Sequence, residues 1–440
     1  MAGTKIHPLF LAEILFNIFS FLAIPNEAHF LNLLAVCAVC RAWQSAALPI
    51  IRRDLAELDL RSYTALDIFH LTKLLDEVRK IGALDLSGLL QSVTIGLDSF
   101  CTHEIASTQD RDEYLFDDFS SSAITLIQTL PKFPSLILNF PDSNGDEIFE
   151  TGPFLAQLAA IHGASITRIQ LDGLEQFTVD DASHPLADLL CSLPNLIVIR
   201  LRSIFVDTLV ADALAHCPRV QSVQFVRTTH LHTTDIFSKW PELSRVNLSV
   251  GSFAVPALLS LKLCPKLTAL RLVATRDASL ISGLDEALME LLSHHCQTLT
   301  RLTLVNLLRR MHLEELLFTP LPNLVYFKAS GDGRRIFTEV GGRDLQMPQL
   351  RVMDVTEITH IDEDFVVAVA KTCPRLREVR FSSRFGVKCV ESGKYGKAWK
   401  ELIAQGFERC EGADVWTRED LGEEKGAEGE RLGQEVESLV

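Results

Sequence analysis

One phrase recurs through the middle of this chain and restricts what it can fold into: apolar-Pro-x-apolar-x-x-apolar-x-apolar. It appears as Leu193-Pro194-x-Leu196-x-x-Ile199-x-Leu201, and again from Cys217-Pro218, Trp240-Pro241, Cys264-Pro265, Leu321-Pro322, Met347-Pro348 and Cys373-Pro374. Cys296-Gln297 opens a copy without the proline. The first apolar anchors fall at 196, 220, 243, 267, 299, 324, 350 and 376, so the period is 24, 23, 24, 32, 25, 26 and 26 residues. Weaker copies are Leu55-x-x-Leu58-x-Leu60, Ile81-x-x-Leu84-x-Leu86 and Ile166-x-x-Ile169-x-Leu171. The closing apolar-x-apolar is a period-2 strand signal. Between strands lie apolar stretches of helical character, such as 209–215, 284–292 and 365–370. The proline sits just past each helix end, where it cannot continue the helix.

A period of 23 to 32 residues with one strand and one helix each resembles the leucine-rich repeat. The Asn or Cys that often follows the strand is missing, so the array is similar to the irregular, cysteine-type repeats that follow an F-box in many ligase adaptors. The expected architecture is α/β: a horseshoe or arc with parallel strands inside and helices outside, over residues 53–385. Residues 99–152 break the pattern and read as an insertion with acidic loops and one degenerate repeat near Leu136. Ala398, Trp399, Leu402, Ile403 and Phe407 form an apolar stripe, expected within a capping helix over 386–410. Residues 411–440 carry ten acids against three bases, which accounts for 7 of the 15 net negative charges, and read as a disordered acidic tail.

The N-terminal segment is different. Taking 10–23 as a helix puts Glu13, Asn17 and Ser20 on one narrow stripe, with Leu11, Ile14, Leu15, Ile18, Phe19, Phe21 and Leu22 around the rest. A domain of about fifty residues covers such a helix poorly by itself, which points to a partner chain. A signal peptide would not carry Glu13 and Asn17 at helical spacing inside its apolar run, and the run is too short and polar to span a membrane.

Pro8, Glu13-Ile14-Leu15, Ile18-Phe19, Leu22, Leu34 and Val39-Cys40-Arg41-x-Trp43 together resemble the F-box of fungal-type F-box proteins, over roughly residues 6–50. His7 stands where the family has leucine, and 23–31 carries extra residues. The resemblance implies a trihelical domain (1–52) that docks on the Skp-type adaptor of a cullin–RING ubiquitin ligase of the SCF type. It places Pro8, Ile14, Leu15, Ile18, Leu22, Leu34, Val39, Cys40 and Trp43 in the domain core or the docking face. The function it implies is substrate recognition: the F-box docks the adaptor and the repeats bind an unknown protein substrate. Two alternatives stand beside it. One is a leucine-rich-repeat GTPase activator, and the other a free-standing protein-binding scaffold.

If alternate strand residues line the inner face, that face collects Arg168, Arg200, Arg202, Arg245, Arg271, Arg301, Lys328 and Arg380. Its acids are only Asp172, Asp354 and Glu378. Two readings of this basic face stay open from sequence. The charges simply solvate and pair with neighbours, or they capture an acidic or phosphorylated substrate segment.

No GxSxG, P-loop, HExxH or paired CxxC motif is present, so a non-catalytic protein is expected, without cofactor. Cys37-x-x-Cys40 lies inside the F-box-like segment. His294-His295-Cys296 could suggest a metal, but the repeat register explains Cys296, and no metal site is expected. Gly331-Asp-Gly333 and Gly341-Gly342 read as turns, and His230 and His232 as a loop pair. The net charge of −15 argues against nucleic acid and anionic membrane as main partners. The ten cysteines, spread through apolar contexts, read as reduced thiols of a cytoplasmic or nuclear protein.

Overall fold

A computed structural model describes residues 56–61, 63, 65–81, 88, 90–97, 113–140, 152–174, 185–204, 206–227, 234–250, 254–274, 283–307, 319–330, 345–356, 358, 363–381, 396–409 and 415–418. Everything expected of residues 1–52 lies outside this set. The described residues fall into two compact units divided between Leu291 and Leu292.

In the first unit, eight strands pair in parallel in chain order: β1 (Glu57–Asp59), β2 (Ser92–Gly96), β3 (Ser135–Asn139), β4 (Arg168–Leu174), β5 (Val198–Ile204), β6 (Ser222–Val226), β7 (Arg245–Val250) and β8 (Ala269–Ala274). Helices alternate with them: α1 (Ala65–Ile81), α2 (Glu113–Thr129), α3 (Gly152–His162), α4 (Pro185–Cys191), α5 (Thr208–Ala215) and α6 (Ala254–Ser260). A 3-10 turn, Thr234–Lys239, stands in for a helix before β7. Helix α7 (Leu284–His294) runs across the division. In the second unit, β9 (Arg301–Val305), β10 (Tyr326–Ser330), β11 (Val352–Val355) and β12 (Glu378–Phe381) are again parallel neighbours, with α8 (Glu363–Thr372) before β12. One strand per repeat, each laid beside the last with the next repeat in register, is a leucine-rich-repeat solenoid in each unit.

The register confirms the repeat phrase residue by residue. Leu136, Ile169, Ile199, Val223, Val246 and Leu270 are successive partners, all buried. The first position after each anchor continues the ladder below the strands: the Ile197 amide donates to Thr167 O, Gln221 to Ile197 O, Ser244 to Gln221 O and Thr268 to Ser244 O. At or just past the strand end, the seventh residue after the anchor turns left-handed in four repeats, at Gly173, Ser203, Arg227 and Asn306.

Four sequence expectations change. Residues 99–152 are not simply an insertion. Helix α2 and strand β3 form a complete repeat, and Leu130-Pro131-x-Phe133-x-x-Leu136-x-Leu138 is a full copy of the phrase with a phenylalanine anchor. The strand beside β1 rests on Leu90-x-x-Val93-x-Ile95, not on the copy beginning at Ile81, which ends α1; residues 82–87 lie outside the described set. At the C-terminus, helix α9 (Gly396–Ala404) buries Leu402, and Phe407 just after it is buried too. Ile403 instead points to solvent, 63% exposed, because it falls a turn-fraction away from Leu402. The Ala398 and Trp399 side chains lie outside the described set. The acidic stretch does not begin as a tail: Val415–Thr417 is a strand, β14, that pairs antiparallel with β12. It also pairs with the two-residue β13 (Glu408–Arg409).

The residue three before the anchor is a buried slot in nearly every repeat: Leu193, Cys217, Trp240, Cys264, Leu321, Met347 and Cys373. In several repeats it does more than fill space. The Trp240 indole N–H donates to Leu214 O at 3.1 Å, the Cys264 thiol to Phe237 O at 3.4 Å, and the Cys217 thiol to Leu190 O at 3.7 Å. Each acceptor lies in the last turn of the preceding helix, where carbonyls lack intrahelical partners. Burial pushes the Cys217 and Cys264 thiols up to about 12, so the donor proton stays in place.

The repeats anchored at Ile166 and Leu299 lack the proline, and both solve the slot in one way. The chain closes one residue earlier, on a buried histidine: the Ile166 amide donates to His162 O, and Leu299 to His295 O. The Ser165 and Thr298 hydroxyls donate to the same carbonyls. Cys296 is therefore displaced from the slot expected of it and is only half-buried. His162 Nε2–H donates to Ile127 O at 2.9 Å and the ring lies 4.6 Å from Phe133.

Burial, with a smaller push from Lys132, holds the His162 imidazole below its usual 6.5 and outweighs the Ile127 bond. Its folded pKa is thus lower than its unfolded one. The stability it contributes is complete above pH 6.5 and is lost as pH falls from there toward the folded value. Urea unfolding between pH 7.5 and 5, on the order of a standard linear-extrapolation series, should show a decline that is shallower in His162→Leu. Equal slopes would mean that His162 does not titrate in this window.

Candidate binding face

The strands bury every second side chain and leave the others half-buried on the outward side, as in β5, β6 and β8. All eight predicted basic residues occupy outward positions: two residues after the anchor for Arg168, Arg245 and Arg301, four for Arg200, Arg271, Lys328 and Arg380, and six for Arg202. Sequence reading gathered them on one concave face of the array; the register gives only their outward strand positions within each unit. Sequence reading did not show how differently they are partnered.

In the second unit the charges are spent internally. Lys328 Nζ lies 3.3 Å from Asp354, which is 3% exposed and also accepts from the Thr356 amide and hydroxyl. Arg380 hydrogen-bonds Glu378. Burial opposes the Arg380 charge, yet the Glu378 bond and the nearby Glu378 and Asp354 charges raise its pKa overall. Arg301 is half-buried beside Tyr326 and Thr303 positions and has interactions of its own. For this unit the pairing alternative describes the structure better.

In the first unit Arg202 is paired, 3.8 Å from Asp172, and Arg200 has interactions of its own. Arg168, Arg245 and Arg271 make no ion pair among the described residues. Burial disfavours the Arg200 charge, and the neighbouring Arg168 charge disfavours it further. Between the arginines stand carboxamides that the sequence reading passed over. Gln170, Arg200, Gln224, Asn247 and Arg271 are consecutive register partners across β4 to β8. Asn247 is 8% exposed, and its Oδ1 has no hydrogen-bond partner; neither has Arg271 Nε. Each member of this row stands four residues after its repeat's anchor, 23 to 30 residues from the next along the chain.

Among the described residues, no group of three His, Cys, Asp or Glu side chains converges as a metal site, and no helix is long and apolar enough to cross a membrane. His294 and His295 meet edge to face at 4.9 Å, as packed rings.

No family model matches the chain, and no curated protein matches it. Solved structures do. A TLR13–ssRNA13 complex matches at 14% identity and TM-score 0.35, over 69% of this chain and 45% of that one. An internalin of Listeria monocytogenes matches at 12% and 0.36, over 80% and 87%. The Drosophila Toll–Spatzle complex matches at 14% and 0.38, over 67% and 37%. The chain thus spans less than half the length of the TLR13 and Toll chains. The leucine-rich-repeat assignment rests on this chain's own register and strand order.

Proposed function

We propose that this chain is the substrate-recognition subunit of an SCF-type cullin–RING ubiquitin ligase, working in the cytoplasm or nucleus without an active site of its own. The observation that carries the reading is the F-box-like segment, ending in Val39-Cys40-Arg41-x-Trp43, placed ahead of a leucine-rich-repeat array. Leu15, Ile18, Leu22 and Trp43 would present the apolar surface that docks the Skp-type adaptor. The repeats would hold a protein substrate. Catalysis would then come from proximity, since tethering raises the effective concentration of substrate lysines near the ubiquitin carrier.

A pull-down with purified Skp-type adaptor tests this. The intact chain should retain the adaptor, and a Leu15→Asp, Trp43→Ala double variant should lose it while keeping the array's thermal unfolding. No retention by the intact chain would leave a free-standing binding scaffold.

A further inference from the structure

The described part of the array ends on a segment that imitates a further repeat. In successive repeats the carbonyl one residue after an anchor accepts from the next repeat's amide, as Arg351 O does from Arg377. In two repeats the carbonyl two residues before the anchor accepts from an asparagine side chain of the next: Ala164 O from Asn195 at 2.9 Å and Gln297 O from Asn323 at 2.8 Å. At the last repeat both roles fall to Arg418. Its amide donates to Arg377 O at 2.8 Å and its guanidinium to Pro374 O, and the guanidinium lies 5.3 Å over the Phe407 ring. Arg418 directly follows β14, so these bonds hold a strand of three residues against β12. The middle residue of that strand, Trp416, is the register partner of Val379 and is buried. Thr417 stands opposite Glu378 of β12 on one side and opposite Glu408 of β13 on the other.

We propose that Thr417 is a phosphorylation site and that its phosphate releases β14 from β12. The residues after it are Arg418, Glu419, Asp420, Leu421, Gly422, Glu423 and Glu424, four acids in seven. That run suits a kinase whose peptide groove is basic. The Thr-x-x-acid spacing alone is common in this chain, as at Thr64 and Thr359; the strand neighbours set Thr417 apart. The strand must leave β12 before a kinase can take it, so the modification captures the open fraction of an existing equilibrium. The Thr417 hydroxyl oxygen attacks the γ-phosphorus of Mg-ATP, the bond to the bridging oxygen breaks, ADP leaves, and the hydroxyl proton passes to the kinase's carboxylate base. The product carries about two negative charges. Directly opposed residues of an antiparallel pair stand about 5 Å apart, so the phosphate cannot rejoin the ladder without meeting the Glu378 and Glu408 carboxylates. Two cations close by are engaged: Arg380 with Glu378, and Arg418 with Pro374 O and the Phe407 ring. Release frees the Arg377 and Pro374 carbonyls and uncovers Trp416 and Phe407, so the modified chain presents an open strand edge.

This inference does not rest on the ligase reading, and its test needs no adaptor. The full chain is incubated with Mg-ATP and a purified acidophilic serine/threonine kinase, and the phosphate is located by peptide mass spectrometry. Hydrogen exchange then compares the modified and unmodified chains. Phosphate should enter at Thr417, and the amides of 378–381 and 415–418 should exchange about tenfold faster, with those of β4 to β8 unchanged. Thr417→Glu should give part of this acceleration without kinase, and Thr417→Val should neither take the phosphate nor loosen. Glu408→Gln, at an exposed position, should restore part of the protection in the phosphorylated chain. No phosphate at Thr417, or phosphate there with unchanged exchange, would overturn the proposal. So would slower exchange, which would mean that Arg380 turns to the phosphate and ties the strand down. Equal loosening in Thr417→Val would overturn it as well, because loss of the hydroxyl and not added charge would then be the cause.

Discussion

Replacing Trp240 with alanine lowers the unfolding free energy by about 3–5 kcal/mol, the range for truncating a large buried aromatic side chain. Trp240 is the largest fully buried side chain among the described residues. Its ring meets Phe237 edge-on at 5.8 Å and Phe225 at 6.5 Å. Phe225 belongs to β6 and Phe237 to the 3-10 turn, so the indole joins strand, turn and the end of α5 through its bond to Leu214 O. Alanine deletes all three links and leaves a cavity that rigid neighbours cannot close. Phenylalanine keeps the aromatic contacts and loses the hydrogen bond, so Trp240→Phe should cost clearly less, on the order of 1–2 kcal/mol. Circular dichroism in urea measures both. An alanine cost below about 1 kcal/mol would show that the slot repacks and is not a fixed support.

Gly173→Ala is expected to cost at least about 2 kcal/mol, from a left-handed backbone and a steric clash together. The residue has φ +99, and a Cβ there would sit 2.5 Å from the Phe140 carbonyl oxygen. That carbonyl belongs to backbone fixed by the Phe140 amide's bond to Asp172 O, so it has no easy retreat. Gly88 supplies the control. Its φ is +77, but a Cβ would meet nothing within 4 Å. Gly88→Ala should therefore cost only the conformational part, about 1 kcal/mol. Equal losses at the two sites would mean that the close approach between β3 and β4 is not constraining.

The strands were legible because burial on one face imposes a two-residue period that survives substitution among Leu, Ile, Val, Phe and Met. Anchors spaced about a repeat apart then fixed the order of the ladder. The repeat around β3 read as degenerate because its anchor is Phe133 and a second proline, Pro134, follows it. The slot was legible as apolar but not as a hydrogen-bonding position. Leu193 and Met347 fill it with no polar group, whereas Trp240, Cys217 and Cys264 fill it and also donate. Nor could His162 and His295 be assigned to it, since the missing proline shifts the closing residue by one. The basic face was legible as a set of residues. How each arginine is partnered depends on register neighbours such as Asp172, whose distance from Arg202 along the chain hides their nearness.

The reversal of direction at β12 also limits how many chains can join. A parallel ladder ending on an open strand offers its next row of amides and carbonyls to any similar strand, including one from another copy. Here that row is occupied by β14 running the opposite way, and among the described residues the outermost strand is Glu408–Arg409. A two-residue, charged edge is a poor template for end-to-end growth. The number of repeats at this end is thereby set within one polypeptide, and concentration alone should not drive the protein to form fibres through its C-terminal side.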